Sequence, residues 1–301
     1  MKTIITGASG FVGQNLTAYL QEKGLEVKSL SLRNKVWVND WDYQANAFIH
    51  LAGKAHDTKN TSDAQDYFNI NTELTKEVFQ KFLQSEIQDF FYFSSVKAVA
   101  DTVEGLLTEE AQPQPITAYG KSKIEAEKYL LQQDLPAGKR LFIIRPCMIH
   151  GPGNKGNLNL LYKVVEKGIP WPLAAFENKR AFLSIDNLSF LILKMIQNKD
   201  LSSGIYNFAD DQSVSTNNLV TIISNVLGKK AKLLKIPKSL FSSIAKIGDV
   251  TKLPLNTERL QKLTENYEVS NQKIKSALGI KHLPLTAEQG LRKTIESFKQ
   301  K

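Results

Sequence analysis

The amino terminus joins a β-rich run, a glycine-rich turn and a helical run, and this order most constrains the fold. Residues 2–6 read KTIIT, residues 7–10 read GASG, and the helical run from Phe11 ends at Gly24. Glycines at positions 7, 10 and 13 permit a tight turn, a close backbone approach to a bound group, and close helix–strand packing. The helix amino terminus then offers free N–H groups and positive potential. The segment therefore predicts the pyrophosphate-binding turn of a βαβ unit rather than a plain turn.

Strand-like runs continue to alternate with helical runs as far as Arg145. The runs are VKSLSL (27–32), AFIHLAG (47–53), DFFYFSS (89–95) and RLFIIRP (140–146). Such alternation predicts right-handed βαβ units and an α/β fold with a doubly wound parallel Rossmann sheet. The stretch between Arg33 and Phe48 is short for another full βα unit, so we expect an abbreviated sheet edge there.

The pattern changes beyond Arg145. Residues 151–159 are turn-rich, residues 181–196 fit a strand or a helix, residues 204–211 resemble one further strand, and the last third reads mainly as short helices. We therefore expect a dinucleotide-binding domain of residues 1–150 plus about 181–206. A smaller, mostly helical substrate lobe would contain about 151–180 plus 207–301.

Composition restricts the compartment and the class of protein. A chain of 301 residues with 42% hydrophobic content can bury a substantial core. Its single cysteine excludes an intramolecular disulfide, and the amino terminus lacks the apolar region of a signal peptide. The most apolar later stretch, residues 182–196, contains Asp186 and Lys194 and is shorter than the roughly 20 residues that span a bilayer. We expect a cytoplasmic protein with no membrane partner.

The net charge of +9 raises the question of nucleic-acid binding. Lysines are spread along the chain, usually with acidic neighbours, and aromatic residues are not interleaved with them as a stacking platform requires. We therefore expect no nucleic-acid partner. The charge is interpreted mainly as a solvated surface that helps to attract an anionic ligand.

The segment TAYGKSK places Tyr119 and Lys123 four residues apart at the start of a helical run. Residues at this spacing share one face of a helix, so the ammonium can favour the phenolate and lower the pKa of the tyrosine. Ser94 and Ser95 end a predicted strand, where parallel sheets place their ligands. Together these groups predict proton exchange with a substrate oxygen beside a nicotinamide that carries the hydride.

The motifs, taken in order, resemble those of the extended short-chain dehydrogenases/reductases, in the nucleotide-sugar epimerase/dehydratase branch. The matching pieces cover about two-thirds of the chain: TGASGFVG, HLAG, NINTELTKEVF, FSSVKAVA, YGKSK, RPCMIHGPG and RAFLSIDNL. The resemblance implies an enzyme that uses NADP or NAD and acts on a nucleotide-activated sugar. It also implies pairing of two copies through helices, as a homodimer.

The resemblance assigns a role to individual residues. Tyr119 matches the catalytic acid or base, Lys123 the residue that lowers its pKa and holds the nicotinamide ribose, and Ser95 the hydroxyl partner. Ser94 is the alternative hydroxyl, because the family usually has a glycine five residues after the catalytic hydroxyl and Ala100 stands at that position relative to Ser95. The remaining matches are Gly7, Gly10, Phe11, Val12 and Gly13 around the pyrophosphate; Leu51, Ala52, Gly53 and Lys54 under the cofactor; Asn71 steadying that loop; Arg180 at the substrate diphosphate; and Asn207 as a weaker substrate contact.

Three departures from the family pattern refine the expected activity. The second strand ends with Ser31 and Arg33 rather than an acidic residue, which favours NADP over NAD because Arg33 can pair with a ribose phosphate. The segment RPCMIHGPG lacks the Asn-Pro common in UDP-galactose epimerases. Val96 and Lys97 stand where dehydratases of the family have an acidic pair, which argues against dehydration.

We expect a 4-keto sugar reductase or a 4-epimerase that works at C4 of a nucleotide-activated hexose, with reduction slightly favoured. The alternative is a catalytically silent NAD(P)-binding sensor or regulatory protein, because a fold does not fix a function. An intact set of serine, tyrosine and lysine counts against that alternative.

The remaining histidines and the cysteine fit structural roles. His50 is interpreted as a satisfied structural histidine beside a strand, and Cys147 as a small buried residue. His56 and His150 do not combine with carboxylates or with Cys147 at zinc-ligand spacing, so no metal is expected.

Overall fold

The computed structural model describes residues 1–34, 36–54, 63–154, 156–251 and 256–299. His56 lies outside these residues. Ten strands occur in the described part of the chain: β1 Lys2–Thr6, β2 Glu26–Leu30, β3 Ala47–His50, β4 Asp89–Phe93, β5 Leu106–Leu107, β6 Arg140–Pro146, β7 Met148–His150, β8 Phe182–Ser184, β9 Gly204–Phe208 and β10 Glu268–Val269.

Helices follow most of these strands, as the alternating pattern predicts. They are α1 Phe11–Glu22, α2 Ala64–Phe68, α3 Leu74–Leu83, α4 Ala118–Leu131, α5 Asn157–Glu166, α6 Ile185–Gln197, α7 Thr216–Val226, α8 Lys238–Thr251, α9 Thr257–Thr264, α10 Gln272–Ala277 and α11 Ala287–Glu296. A single π-helical turn, Asn69–Glu73, joins α2 to α3.

Six strands form one sheet in the order β2-β1-β3-β4-β6-β9, and each neighbouring pair is parallel. Sequence order reverses at β1, which has β2 on one side and β3 on the other. Parallel sheets of this kind bind ligands in the crevice beyond the carboxyl ends of the strands at such a reversal. The predicted doubly wound α/β sheet is confirmed.

The central strands are buried on both faces, which explains their continuous apolar runs. Every residue of β4 is buried. One hydrophobic cluster packs α1 and α6 against one face, and a second packs α3 and α4 against the other. The glycine turn and the α4 segment are therefore fixed to a rigid sheet.

The edge beside β2 is abbreviated, as expected from the short stretch after Arg33. A single 3₁₀ turn, Trp37–Asp40, takes the place of a full helix, and Trp41 then stacks on Phe48 with ring centroids 4.8 Å apart. The chain thus returns to the sheet through aromatic packing.

A third hydrophobic cluster joins α5, α7, α8 and α11, mostly from the later half of the chain. Its separate core supports a smaller helical lobe, and the boundaries given above for the two domains stay a prediction. The ambiguous run 181–196 contains both elements: β8 ends at Ser184, whose hydroxyl accepts hydrogen bonds from the Asp186 and Asn187 amides and caps α6. The short parallel pairs β5–β10 and β7–β8, and the helix α9, were not predicted.

None of the helices in the described ranges is long and apolar enough to cross a membrane.

Candidate active site

The glycine turn after β1 forms an anion-binding helix start. Gly7 has a φ of +68°, and its carbonyl accepts a hydrogen bond from the Gly10 amide at 3.0 Å. Gly10 is the N-cap residue of α1 and supplies no side-chain cap. The first N–H groups of α1, from Phe11 onward, can therefore donate to a pyrophosphate.

Close packing explains why these positions are glycines. A Cβ on Gly13 would lie 2.3 Å from the Gly7 carbonyl oxygen, and one on Gly7 would lie 2.8 Å from the Ala52 amide nitrogen. The turn after β1 thus packs directly against the loop after β3. Both loops that the sequence assigns to the cofactor lie at one edge of the sheet. The site formed by the turn after β1 and the loop after β3 fits a dinucleotide.

Asn71 fixes the loop after β3. Its buried side chain accepts a hydrogen bond from the Lys54 amide at 2.8 Å and donates to the Lys54 carbonyl at 3.1 Å. It also donates to the Ser122 hydroxyl at 3.0 Å, and that hydroxyl donates to the Tyr119 carbonyl at 2.8 Å. A Cβ on Gly53 would lie 2.9 Å from the Asn71 side-chain oxygen. Asn71 therefore connects residues 51–54 to the first turn of α4.

His50 connects the loop after β3 to Asn71 by a second route. The Ala52 amide donates to Thr6 Oγ1, which lies 2.8 Å from His50 Nδ1. On the other side, His50 Nε2 lies 3.0 Å from Thr75 Oγ1, which donates to the Asn71 carbonyl. Because the Thr75 hydrogen points to Asn71, we assign the proton of His50 to Nε2, and Nδ1 accepts from Thr6.

Burial keeps this histidine neutral. The pKa of His50 falls to about 3, first because the ring is fully buried and second because Lys123 is cationic. Its placement and complete bonding agree with the structural role expected from the sequence.

The start of α4 presents the tyrosine. The Thr117 hydroxyl accepts a hydrogen bond from the Gly120 amide at 3.2 Å, so Thr117 is the N-cap and Tyr119 lies in the first turn. The Asp101 carboxylate accepts a hydrogen bond from the Ile116 amide at 2.7 Å, which connects the loop after β4 to the start of this helix. Gly120 is required there, since a Cβ would lie 2.4 Å from the Lys97 carbonyl oxygen.

The Ser95 hydroxyl lies close enough to Tyr119 to lower the pKa of the phenol, which brings together the two hydroxyl groups predicted from the sequence. Ser95 follows β4 and also accepts a hydrogen bond from the Lys97 amide at 3.2 Å. The Tyr119 ring meets the Tyr67 ring edge to face, with centroids 6.1 Å apart. A phenol and a hydroxyl thus lie at the carboxyl end of a central strand.

Lys123 lies one turn further along α4 and is buried. Its ammonium donates to the Phe93 carbonyl at 2.8 Å and lies 4.9 Å from the centre of the Tyr92 ring. A Cβ on Gly53 would lie 3.3 Å from this ammonium. Lys123 therefore reaches the loop assigned to the cofactor.

The expected acidification of Tyr119 by Lys123 is not what the site shows. The pKa of Tyr119 is raised, first by burial, while the hydrogen bond with Ser95 opposes this effect. The pKa of Lys123 is lowered to about 8, mainly by burial, against the attraction of Glu127. Burial outweighs the helical spacing on which the sequence argument relied.

Ser94, the alternative hydroxyl, has a different partner from Ser95. Its hydroxyl donates to the buried carboxylate of Glu127, which also pairs with Arg145 through an Nη2–Oε2 contact of 2.5 Å. Neither Glu127 nor Arg145 was predicted from the sequence as a site residue. Glu127 could have been noticed because it follows Lys123 by four residues on the same helix face.

The three remaining predicted residues lie on other parts of the chain. Arg33 follows β2 and is exposed at the sheet edge. The backbone of Arg180 forms isolated β-bridges with Val214 and with Tyr267. Burial lowers the pKa of its guanidinium. Asn207 is fully buried on β9, where it pairs in register with Arg145, and its contact with the substrate stays a prediction.

Cys147 is buried as predicted, and burial raises the pKa of its thiol. Across the described residues, no group of three or more histidine, cysteine, aspartate or glutamate side chains could hold a metal ion.

Residues 3–209 match the model of the NAD dependent epimerase/dehydratase family. This match spans more than half of the chain, and the chain belongs to that family. The resemblance inferred from the motifs is confirmed, together with NAD or NADP as the class of cofactor.

Individual proteins and structures within this comparison are similar to the chain over nearly its whole length. The chain is similar to the UDP-glucose 4-epimerase of Vibrio cholerae, with 28% identity over 319 residues that cover 99% of this chain and 95% of that protein. It is 26% identical over 314 residues to the N-acetyl-alpha-D-glucosaminyl-diphospho-ditrans,octacis-undecaprenol 4-epimerase of Escherichia coli O157:H7, covering 97% and 94%. The structure of RMD from Pseudomonas aeruginosa complexed with NADPH shares the fold, with a TM-score of 0.77, 21% identity, and coverage of 100% of this chain and 99% of that one.

Proposed function

We propose that this chain is a 4-epimerase that inverts C4 of a hexose carried on a diphosphate, by removing and returning a hydride. The closeness of the Ser95 and Tyr119 hydroxyl groups, at the carboxyl end of β4, carries the proposal. It supplies two groups that can bind one substrate oxygen and exchange its proton. The relatives named as 4-epimerases support inversion over the reduction that the sequence slightly favoured.

The chain's own residues move the proton. Tyr119 takes the proton of the C4 hydroxyl as the C4 carbonyl forms and returns it after the hydride comes back to the other face. Ser95 hydrogen-bonds the same oxygen and shares its proton with Tyr119. When bound, the nicotinamide of NAD(P) would supply the hydride acceptor and, in its oxidised form, a positive charge that would favour the Tyr119 phenolate.

The remaining residues bind and orient. The amide groups at the start of α1 would hold the pyrophosphate, and Lys123, protonated below about pH 8, would donate to the nicotinamide ribose. Arg180 in the smaller lobe would pair with the diphosphate of the substrate, which both classes of sugar donor share.

The direct test is interconversion of substrates without added cofactor. Purified protein is incubated with UDP-glucose, UDP-N-acetylglucosamine or the corresponding polyprenyl-diphosphate sugar, and the products are separated by chromatography. We expect formation of the C4 epimer by the natural chain and none by Tyr119→Phe. Absence of any epimer with every donor, in protein shown to contain dinucleotide, would contradict the proposal.

Reduction of a 4-keto sugar is the second candidate, and the exposed Arg33 after β2 favours it because a guanidinium can select NADPH. It predicts loss of NADPH absorbance with a UDP-4-keto-6-deoxyhexose and no interconversion of the parent hexoses. A silent sensor would bind dinucleotide and turn over neither class of substrate.

A further inference from the structure

The smaller lobe carries a long segment of uniform charge. Residues 212–248 contain six lysines and no aspartate or glutamate: Lys229, Lys230, Lys232, Lys235, Lys238 and Lys246. This corrects the expectation that lysines are spread with acidic neighbours. Five of the six lie within ten residues, between α7 and the start of α8.

Backbone hydrogen bonds hold this segment in a defined conformation. The Trp171 amide donates to the Lys232 carbonyl at 2.8 Å, and the Leu234 amide donates to the Trp171 carbonyl at 2.9 Å. The Lys232 ammonium also reaches the Gly168 carbonyl at 3.3 Å. Residues 232–234 therefore run alongside residues 168–171, which places Ile169 beside the lysines.

Several exposed aliphatic side chains lie among or beside these lysines. Ile169, Leu234 and Leu240 are 51%, 46% and 51% exposed, and Leu233 is 37% exposed. Lys230 and Lys235 are exposed as well. We define the basic–aliphatic surface by these six residues: Ile169, Lys230, Leu233, Leu234, Lys235 and Leu240.

We propose that the basic–aliphatic surface docks the protein on an anionic lipid bilayer. Lysines attract anionic headgroups, and their aliphatic stems allow neighbouring leucines to enter the boundary between headgroups and acyl chains. The surface lies on the lobe and involves none of the groups assigned to catalysis. It provides peripheral attachment without a spanning helix.

The chemistry of the surface favours lipid over other occupants. Single-stranded nucleic acid needs aromatic rings on which bases stack, and the apolar members here are all aliphatic. A second copy of this chain would bring the same lysines face to face across a two-fold contact, where like charges repel. Lipid headgroups satisfy both the charge and the apolar side chains.

Vesicle co-sedimentation tests the proposal. The full chain is mixed at low salt with phosphatidylcholine vesicles that contain 30% phosphatidylglycerol, and with vesicles of phosphatidylcholine alone. We expect binding to the anionic vesicles, weakened by raised salt, and little binding to the neutral ones. The double variant Lys230→Gln/Lys235→Gln should bind about 25-fold more weakly, at roughly fivefold per lysine.

Matched variants separate charge from fold. Lys128→Gln/Lys281→Gln removes two exposed lysines elsewhere and should leave vesicle binding unchanged. Leu240→Ser should weaken binding and make the remainder more sensitive to salt, because the aliphatic contribution is lost. Lys229 and Lys232 are left intact because each donates to a backbone carbonyl.

Three results would overturn the proposal: no binding to anionic vesicles at low salt, equal loss of binding in the two double variants, or a dimer in sedimentation that only Lys230→Gln/Lys235→Gln dissociates. Vesicle binding requires no turnover, so it is independent of the proposed function. Turnover of a water-soluble nucleotide sugar should be the same in all variants.

Discussion

The Glu127 carboxylate and the Arg145 guanidinium form a fully buried ion pair one helical turn beyond Lys123. The same carboxylate accepts the Ser94 hydroxyl, and its charge raises the pKa of Lys123 against the effect of burial. The pair joins α4 to β4 and β6, so the helix that carries Tyr119 is fixed to the two central strands by charge as well as by packing.

Replacing Glu127 by glutamine should strongly destabilise the fold. The Arg145 charge would remain buried without its counter-charge, which costs about 3–5 kcal/mol in the free energy of unfolding. Urea denaturation at pH 7 measures the change. Glu125→Gln alters an exposed carboxylate on the same helix and should change the value by less than about 0.5 kcal/mol. Equal changes in the free energy of unfolding for the two substitutions would show that burying the Arg145 charge without its partner is not costly.

Lys123→Met should stabilise the protein at pH 7 while abolishing turnover. The folded pKa of about 8 lies below the unfolded value of 10.5, so burying the ammonium costs roughly 3 kcal/mol below pH 8, and this cost disappears as pH rises to 10.5. Loss of the bond to Phe93 offsets about 1 kcal/mol. Urea denaturation from pH 7 to 10 should show a gain that shrinks with rising pH. Lys121→Met, at an exposed site, should give no such trend.

Acid should destabilise the protein through His50. The folded pKa of about 3 lies below the ordinary 6.5, so the neutral ring stabilises the fold above pH 6.5, and this is lost at about 1.4 kcal/mol per unit as pH falls toward 3. The wild-type chain should therefore lose more stability between pH 7 and pH 5 than His50→Asn does. An equivalent substitution at the exposed His282 serves as the control and should follow the wild type.

Tyr119→Phe should lower kcat by at least about 100-fold, because it removes the group that exchanges the proton of the substrate. Ser95→Ala should cause a smaller loss. Fluorescence titration should show nearly unchanged dinucleotide affinity in both variants, since neither hydroxyl belongs to the glycine turn. Retained turnover in Tyr119→Phe would assign proton transfer to another residue.

Arg33→Ala should distinguish the two dinucleotides. If the guanidinium pairs with a ribose phosphate, the variant should bind NADPH roughly tenfold or more weakly and NADH with unchanged affinity. Isothermal titration with both cofactors measures the difference. An equal loss of affinity for NADPH and NADH would indicate that Arg33 contacts the adenine side of the cofactor without distinguishing the ribose phosphate.

The sheet, the glycine turn and the meeting of Ser95 with Tyr119 follow from local patterns, because strand ends and helix faces have fixed geometry. The direction of the Tyr119 pKa shift did not, since it depends on how deeply surrounding elements bury the ring. Glu127 and Arg145 are 18 residues apart, on a helix and a strand, and meet only through tertiary packing. Strand position alone does not reveal how deeply the Asn207 side chain is covered, and its contact with a substrate stays a prediction.

The hydrogen-bonded row from the Ala52 amide through Thr6, His50 and Thr75 to the Asn71 carbonyl has a single polarity. Each hydroxyl accepts one hydrogen bond and donates the next, so removing one hydroxyl breaks two hydrogen bonds of the row. The loop after β3 and the π-helical turn that contains Asn71 are thereby held in one relative orientation. Neither can rearrange alone without leaving a ring nitrogen of His50 without its hydrogen-bond partner.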